Sequence, residues 1–208
     1  ELAGCGSWDR LVVDCASTAD ALRMLTLPAT FGLYLERAWP RHRRLSTADT
    51  GASAVMIELT ERVTEGVERL GALLTDPEAV SAHLVLTPER VVAAEAVRTL
   101  GSLALMGVRV AELIVNQVLV QDDSYEYRNL PDHPAFEWYA ERINEQRLVL
   151  DDLSARTGEI ALVLTPHLPG EPIGPKALAE LLEMARRRGG APPPGPLRPV
   201  VDLESGSG

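Results

Sequence analysis

The feature that most constrains this chain is a regular exchange between two hydrophobic periodicities from residue 82 to residue 184. Short apolar runs at Ala82–Leu86, Val110–Val115 and Ile160–Leu164 read as buried strands. The stretches between them carry helical spacing over lengths that allow a crossover. That alternation predicts an α/β fold: a parallel sheet with right-handed connections and helices on both faces. In sheets of this kind ligands bind outside the carboxyl ends of the strands.

The punctuation agrees. Thr87, Pro88 and Glu89 form a helix start, with a capping hydroxyl, a proline where its missing N–H is harmless, and an acid in the first turn. The helix is expected to reach about Leu105 and to stop at Gly107. Phe136, Tyr139, Ile143, Leu148 and Leu150 give helical spacing across Pro134–Ala155, and Gly174-Pro175 opens a last helix. Upstream, Leu11–Val13 reads as a strand ending at Asp14, followed by Ser17, Thr18 and a helix through Ala21, Leu22 and Leu25 that Pro28 closes. Phe31–Trp39 and Ala54–Leu74 are two more helices around a polar connector at residues 46–51, so residues 28–76 form a helical insert. The partial α/β domain thus runs over residues 1–188. The Pro- and Gly-rich segment 189–208 has too little apolar content to order itself. The repeated Leu-Thr-Pro at 86–88 and 164–166 is strand-end punctuation and not an internal duplication.

Charge and composition remove several function classes. A formal charge of −10 with few basic clusters disfavours nucleic acid, whose binding rests on Lys and Arg neutralising phosphates. The runs Arg41–Arg44 and Arg186–Arg188 follow or end helical patterns, where cations suit the helix dipole. Cys5 and Cys15 offer neither a disulfide framework nor zinc spacing, which fits a reducing compartment. No stretch is long and apolar enough to span a bilayer, so the reading is cytoplasmic, with peripheral membrane association left open. A serine hydrolase is set aside because no Ser stands in a Gly-x-Ser-x-Gly elbow. The polar strand ends, Asp14, Asn116 and the Pro166-His167 loop, are expected to share one rim.

Residues 14–23 resemble the switch II signature of the anion-transporting ATPase family, which includes arsenite-pump ATPases and the ATPases that deliver tail-anchored membrane proteins. The family pattern is Asp-Thr-Ala-Pro-Thr, two variable positions, then Thr-Leu-Arg. This chain keeps Asp14, Ala16, Thr18, Leu22 and Arg23 and departs at Cys15, Ser17 and Ala21. Leu84–Val92 resembles the family's next strand and helix, Ile114–Gln117 its adenine-contacting strand end, and Pro166 with Glu171–Gly174 its adenine loop and last-helix entry. The blocks span most of residues 8–188 in the family's order.

The resemblance implies a P-loop NTPase-like fold of the SIMIBI type and binding of ATP with Mg2+. It makes Asp14 and Thr18 the switch II residues, with Asp14 holding the metal through water, and Asn116, Gln117 and Pro166 the adenine rim. Magnesium keeps several waters and takes few carboxylates, which suits an acid at a strand end. The plainer reading is that Asp14 caps a helix and that Asn116 is a turn residue. His167, a lone loop histidine, is left out of catalysis. A dimer with a related ATPase and a membrane-protein client are the implied partners. The helical insert, with Met24 and Met56 its nearby methionines, reads more simply as ordinary helix packing than as a client groove.

Hydrolysis in this family needs a Gly-rich loop and lysines around phosphate. The single lysine, Lys176, lies in the first turn of a helix, and Gly4-Cys5-Gly6 precedes a strand where such a loop would follow one. The N-terminal part carrying the phosphate loop is therefore expected to be missing. The chain is then a fragment, one part of a split ATPase, or a non-catalytic relative that pairs with a complete one as scaffold or regulator. Ser17 in place of Pro loosens the switch. The two cysteines do not make a soft-metal site for arsenite.

Overall fold

The computed structural model describes residues 6–15, 17–38, 40, 51–120, 133–158 and 160–195, with side chains in the 51–75 helix from residue 55 onward. The chain divides into two compact units, Glu1–Ala72 and Leu73–Gly208.

The first unit is helical. Helix α1 spans Thr18–Ala38 and helix α2 spans Gly51–Thr75. Contrary to the expectation that Pro28 would close a helix, α1 runs straight through it. Proline there removes one backbone donor and crowds the preceding turn. Its ring is nevertheless buried, and its Cβ lies 3.8 Å from where a side chain on Gly71 would begin, an ordinary van der Waals separation. The less exposed residues of α2 are Ile57, Thr60, Thr64, Gly66, Val67, Gly71 and Leu74, and all but Gly66 recur at alternating three- and four-residue steps, the spacing of one helical seam. The strand expected at Leu11–Val13 does not form: Leu11 is 53%, Val12 89% and Val13 69% exposed, with no strand pairing. An extended segment gains stability only through a neighbouring ladder, and none of the described residues supplies one.

The second unit is a four-stranded sheet in the order β1-β2-β3-β4, with β1 at Ala82–Leu86, β2 at Val110–Val118, β3 at Ala161–Pro166 and β4 at Arg186–Arg188. The first three strands are parallel, so the architecture is α/β with a mixed, mostly parallel sheet and helices around it. Helix α3 (Arg90–Leu105) links β1 to β2, α4 (Pro134–Thr157) precedes β3, and α5 (Gly174–Met184) leads into β4. Strand order and chain order advance together, so right-handed crossovers put α3 and α4 on one face. On that face Leu84, Leu113 and Leu162 stand in register, as do Leu86, Val115 and Leu164. Leu113, Val115 and Leu164 are 0% exposed. Each such side chain contributes about 1.5–3 kcal/mol of transfer free energy.

Two local details differ from the sequence reading. Thr87 does not cap α3: its hydroxyl donates to Glu89 Oε2 at 2.6 Å, and Glu89, extended at φ −111°, is the residue from which the helix departs. The carboxylate's second partner explains this, because Arg142 of α4 holds Glu89 Oε1 at 2.9 Å and draws the acid toward α4. Arg186–Arg188 is a strand, not a helix end. It pairs antiparallel to β3, and Arg187 reaches Glu112 of β2 at 2.7 Å, which also faces His83 at 3.2 Å. Gly107 stops α3 as expected: at φ +74° it donates to Ala104 O while Val108 donates to Leu103 O, the paired bonds of a Schellman stop. The basic run 41–44 lies outside the described residues, as does most of the connector 46–51. Of the segment 189–208, residues 189–195 are described, and Pro193 among them is buried.

Candidate functional site

The carboxyl end of β2 breaks regular pairing. Val115 pairs with Leu164 and Val118 with Pro166, so Asn116 and Gln117 together oppose the single residue Thr165. This is a β-bulge, a device that re-aims side chains and recurs beside active sites. Gln117 carries φ +62°, a left-handed backbone that non-glycine residues adopt at a cost.

Three side chains hold the bulge in place. Asn116 Oδ1 accepts the Gln117 N–H at 2.9 Å and the Thr165 hydroxyl at 2.7 Å. From α4, Gln146 Oε1 accepts the Leu119 N–H at 2.9 Å, and its Nε2 donates to Gln117 O at 3.4 Å. Gln146 is 5% exposed and Thr165 6%, so these bonds form where water competes little. One residue further along, His167 N–H donates to Val118 O at 2.9 Å and carries the ladder past Pro166.

On the α4 side of the rim is a cavity of about 250 Å³ lined by Glu89, Gln117, Trp138, Tyr139, Arg142 and His167 among others. The Glu89–Arg142 pair closes one wall, and Arg142 also meets Glu145 at 3.3 Å. Such a wall offers aromatic faces, a guanidinium and amide groups. It also holds a hydroxyl against a carboxylate, Thr87 on Glu89 at 2.6 Å, while no cluster of three metal-binding side chains exists among the described residues.

The structure thus brings Asn116, Gln117 and Pro166 together at adjacent strand ends in the second unit. Asp14 and Thr18 belong to the first unit. There Ser17, and not Asp14, caps α1: Ser17 Oγ accepts the Asp20 N–H at 3.2 Å and donates to Asp20 Oδ2 at 2.7 Å, a reciprocal cap. Thr18 is the first helical residue, and Asp14 is exposed, as is the free thiol of Cys15. Magnesium keeps several waters and takes one or two carboxylates, so a single exposed carboxylate is compatible with it but is not by itself a metal site. Thr165 and Gln146 were missed by the sequence reading. Gln146 had a signal, a polar residue on the apolar stripe between Ile143 and Leu150.

Residues 3–185 match the anion-transporting ATPase family, nearly the whole of the helical unit and the sheet. The chain belongs to that family. Among curated relatives, a Mycobacterium tuberculosis protein named Protein Rv2184c is 78% identical over 209 residues, covering 100% of the chain and 50% of the relative. The putative arsenical pump-driving ATPase 1 of Aquifex aeolicus is 21% identical over 193 residues, 86% of the chain and 46% of the relative. The putative arsenical pump-driving ATPase of Chlorobaculum tepidum is 29% identical over 137 residues, 59% of the chain and 33% of the relative. The chain spans half or less of the length of these relatives.

Proposed function

We propose that this chain supplies the base-binding rim and the helical subdomain of an ATPase that couples ATP binding and hydrolysis to a membrane-linked client or partner. The observation that carries the reading is the braced bulge at Asn116-Gln117 beside Pro166, at the strand ends where α/β sheets bind ligands, in a chain of this family. Asn116 and Gln117 would face the base edge, Pro166 would pack on the base, and Asp14 would hold magnesium through water with Thr18 beside it in the switch segment. ATP bound with magnesium would supply the scissile phosphoanhydride. The residues described here bind and orient it.

The phosphate-holding loop is not contributed by this chain. Its one lysine, Lys176, is 93% exposed on α5 and lies 4.0 Å from Glu180. The alternative reading is a non-catalytic scaffold or regulator that pairs with a complete relative. Both readings put the chain in the cytoplasm as one member of a dimer; on the first, α1 and α2 are the part that responds to nucleotide, and on the second the partner is bound without ATP. No helix among the described residues is long and apolar enough to cross a membrane.

Titration calorimetry of magnesium-ATP into the 208-residue chain, with Asn116→Ala as control, tests the proposal. Weak binding that the substitution lowers further, without phosphate release by the chain alone, is the expected result. Phosphate release by the chain alone would overturn the assignment of the phosphate loop elsewhere. Binding indifferent to Asn116→Ala would remove the rim.

A further inference from the structure

The bulge fixes which half of the Asn116 amide remains available. The Gln117 backbone N–H can only donate, so the amide atom 2.9 Å from it is Oδ1. That same oxygen accepts the Thr165 hydroxyl at 2.7 Å. A carbonyl oxygen has two lone pairs, and both are occupied within the protein. Nδ2 has no hydrogen-bond partner among the described residues and keeps its N–H donors, while Asn116 itself is only partly buried. Thr165 is nearly enclosed at 6% exposure, on a strand paired on both sides, and so its hydroxyl is a fixed donor.

We propose that Thr165 is a positioning residue that makes Asn116 a donor-only reader. The group Asn116 recognises is then an acceptor, a ring nitrogen of a purine, and not an exocyclic amino group. An Asn with both atoms free pairs with the amino group and N7 of adenine together. Here the oxygen is unavailable for the amino group, so Asn116 does not by itself distinguish 6-amino from 6-oxo purines. This inference rests on the nucleotide reading above.

The test is a nitrogen-15 correlation spectrum of the 208-residue chain. The Asn116 side-chain NH2 pair is assigned by its loss in Asn116→Ala. ATP and purine riboside triphosphate, which lacks the 6-amino group, are each titrated with magnesium. The NH2 pair should shift alike with both ligands, and Asn116→Ala should weaken both by the same factor. Thr165→Val should move the NH2 pair before ligand is added and weaken both ligands about 3- to 10-fold, the scale of one lost hydrogen bond. Thr165→Ser, which keeps the hydroxyl, should restore both. If removing the 6-amino group weakens wild type but not Asn116→Ala, the oxygen does contact that group and the inference fails. Rim shifts that Thr165→Val leaves untouched would overturn the inference and keep the nucleotide reading. No nucleotide-induced shift at the rim would overturn both.

Discussion

Helix α2 and strand β2 are both rich in apolar residues, and they meet opposite circumstances. In β2, Leu113, Val115 and Val118 are 0% exposed; in α2, Ile57 is buried while Met56, Leu59 and Leu70 are 54%, 56% and 44% exposed. Among the described apolar side chains of the first unit only Ile57 and Pro28 are buried, whereas the second unit buries a continuous core from Leu86 to Leu164. Geometry explains the contrast. A helix in a two-helix pair can cover one seam, and α2 carries a second seam one residue over, through Met56, Leu59, Val63 and Leu70. A strand such as β2 has hydrogen-bonded neighbours at both edges and helices over one face. The sheet unit contains the cooperative core, and the helical unit is the weaker partner.

Deep substitutions should separate the two most. Leu113→Ala is expected to lower stability by about 2–5 kcal/mol, against less than about 2 kcal/mol for Ile57→Ala, in urea unfolding followed by circular dichroism. Equal losses would mean that the helical unit is packed as tightly as the sheet. Amide hydrogen exchange should be roughly 100-fold faster along α2 than along β2, since thinly packed elements open locally. Matching rates would merge the units into one cooperative block. At the helix ends, Gly107→Ala forces a left-handed side-chain residue into the Schellman stop and should cost about 1–2 kcal/mol in the sheet unit. Ser17→Ala removes the reciprocal cap of α1 and should cost about 1 kcal/mol or less, seen as lost helicity. The smallest effect belongs to Arg142→Met. The Glu89–Arg142 pair is part-exposed, so about 0–1 kcal/mol is expected, with greater salt sensitivity in wild type than in the variant.

The core of the sheet unit was legible because its elements announce themselves locally. β1, α3, Gly107, β2, α4 and β3 follow from apolar spacing and turn residues alone. What was not legible depended on contacts distant in sequence. Three consecutive arginines carry no strand signal, and β4 exists because β3 has a free edge and Glu112 accepts Arg187. Pro28 looked like a terminator because its burial near Gly71, a residue distant in sequence, cannot be seen from position 28. Leu11–Val13 failed for the opposite reason: the local signal is good, but a strand needs a neighbour. In the candidate site, Asn116, Gln117 and Pro166 were named from the resemblance and lie together. The bulge that aims them was hidden, because Thr165 looks like any strand threonine until its register against Asn116 is known.

The arginine strand also makes the sheet polar in the sense of growth. β4 is only three residues long, wholly cationic, and ends at Gly189, whose φ of +99° turns the chain where a side chain would meet the Ala161 backbone at 3.1 Å. Prolines 192–194 follow, and they have no N–H with which to extend a ladder. That margin repels a further strand by charge and offers few donors to one. The other margin is β1, whose Val85 is 67% exposed and whose outer backbone has no strand beside it among the described residues. Among the described residues the two margins therefore differ in kind: β4 is a closed end, and β1 keeps its outer backbone groups unpaired with any strand.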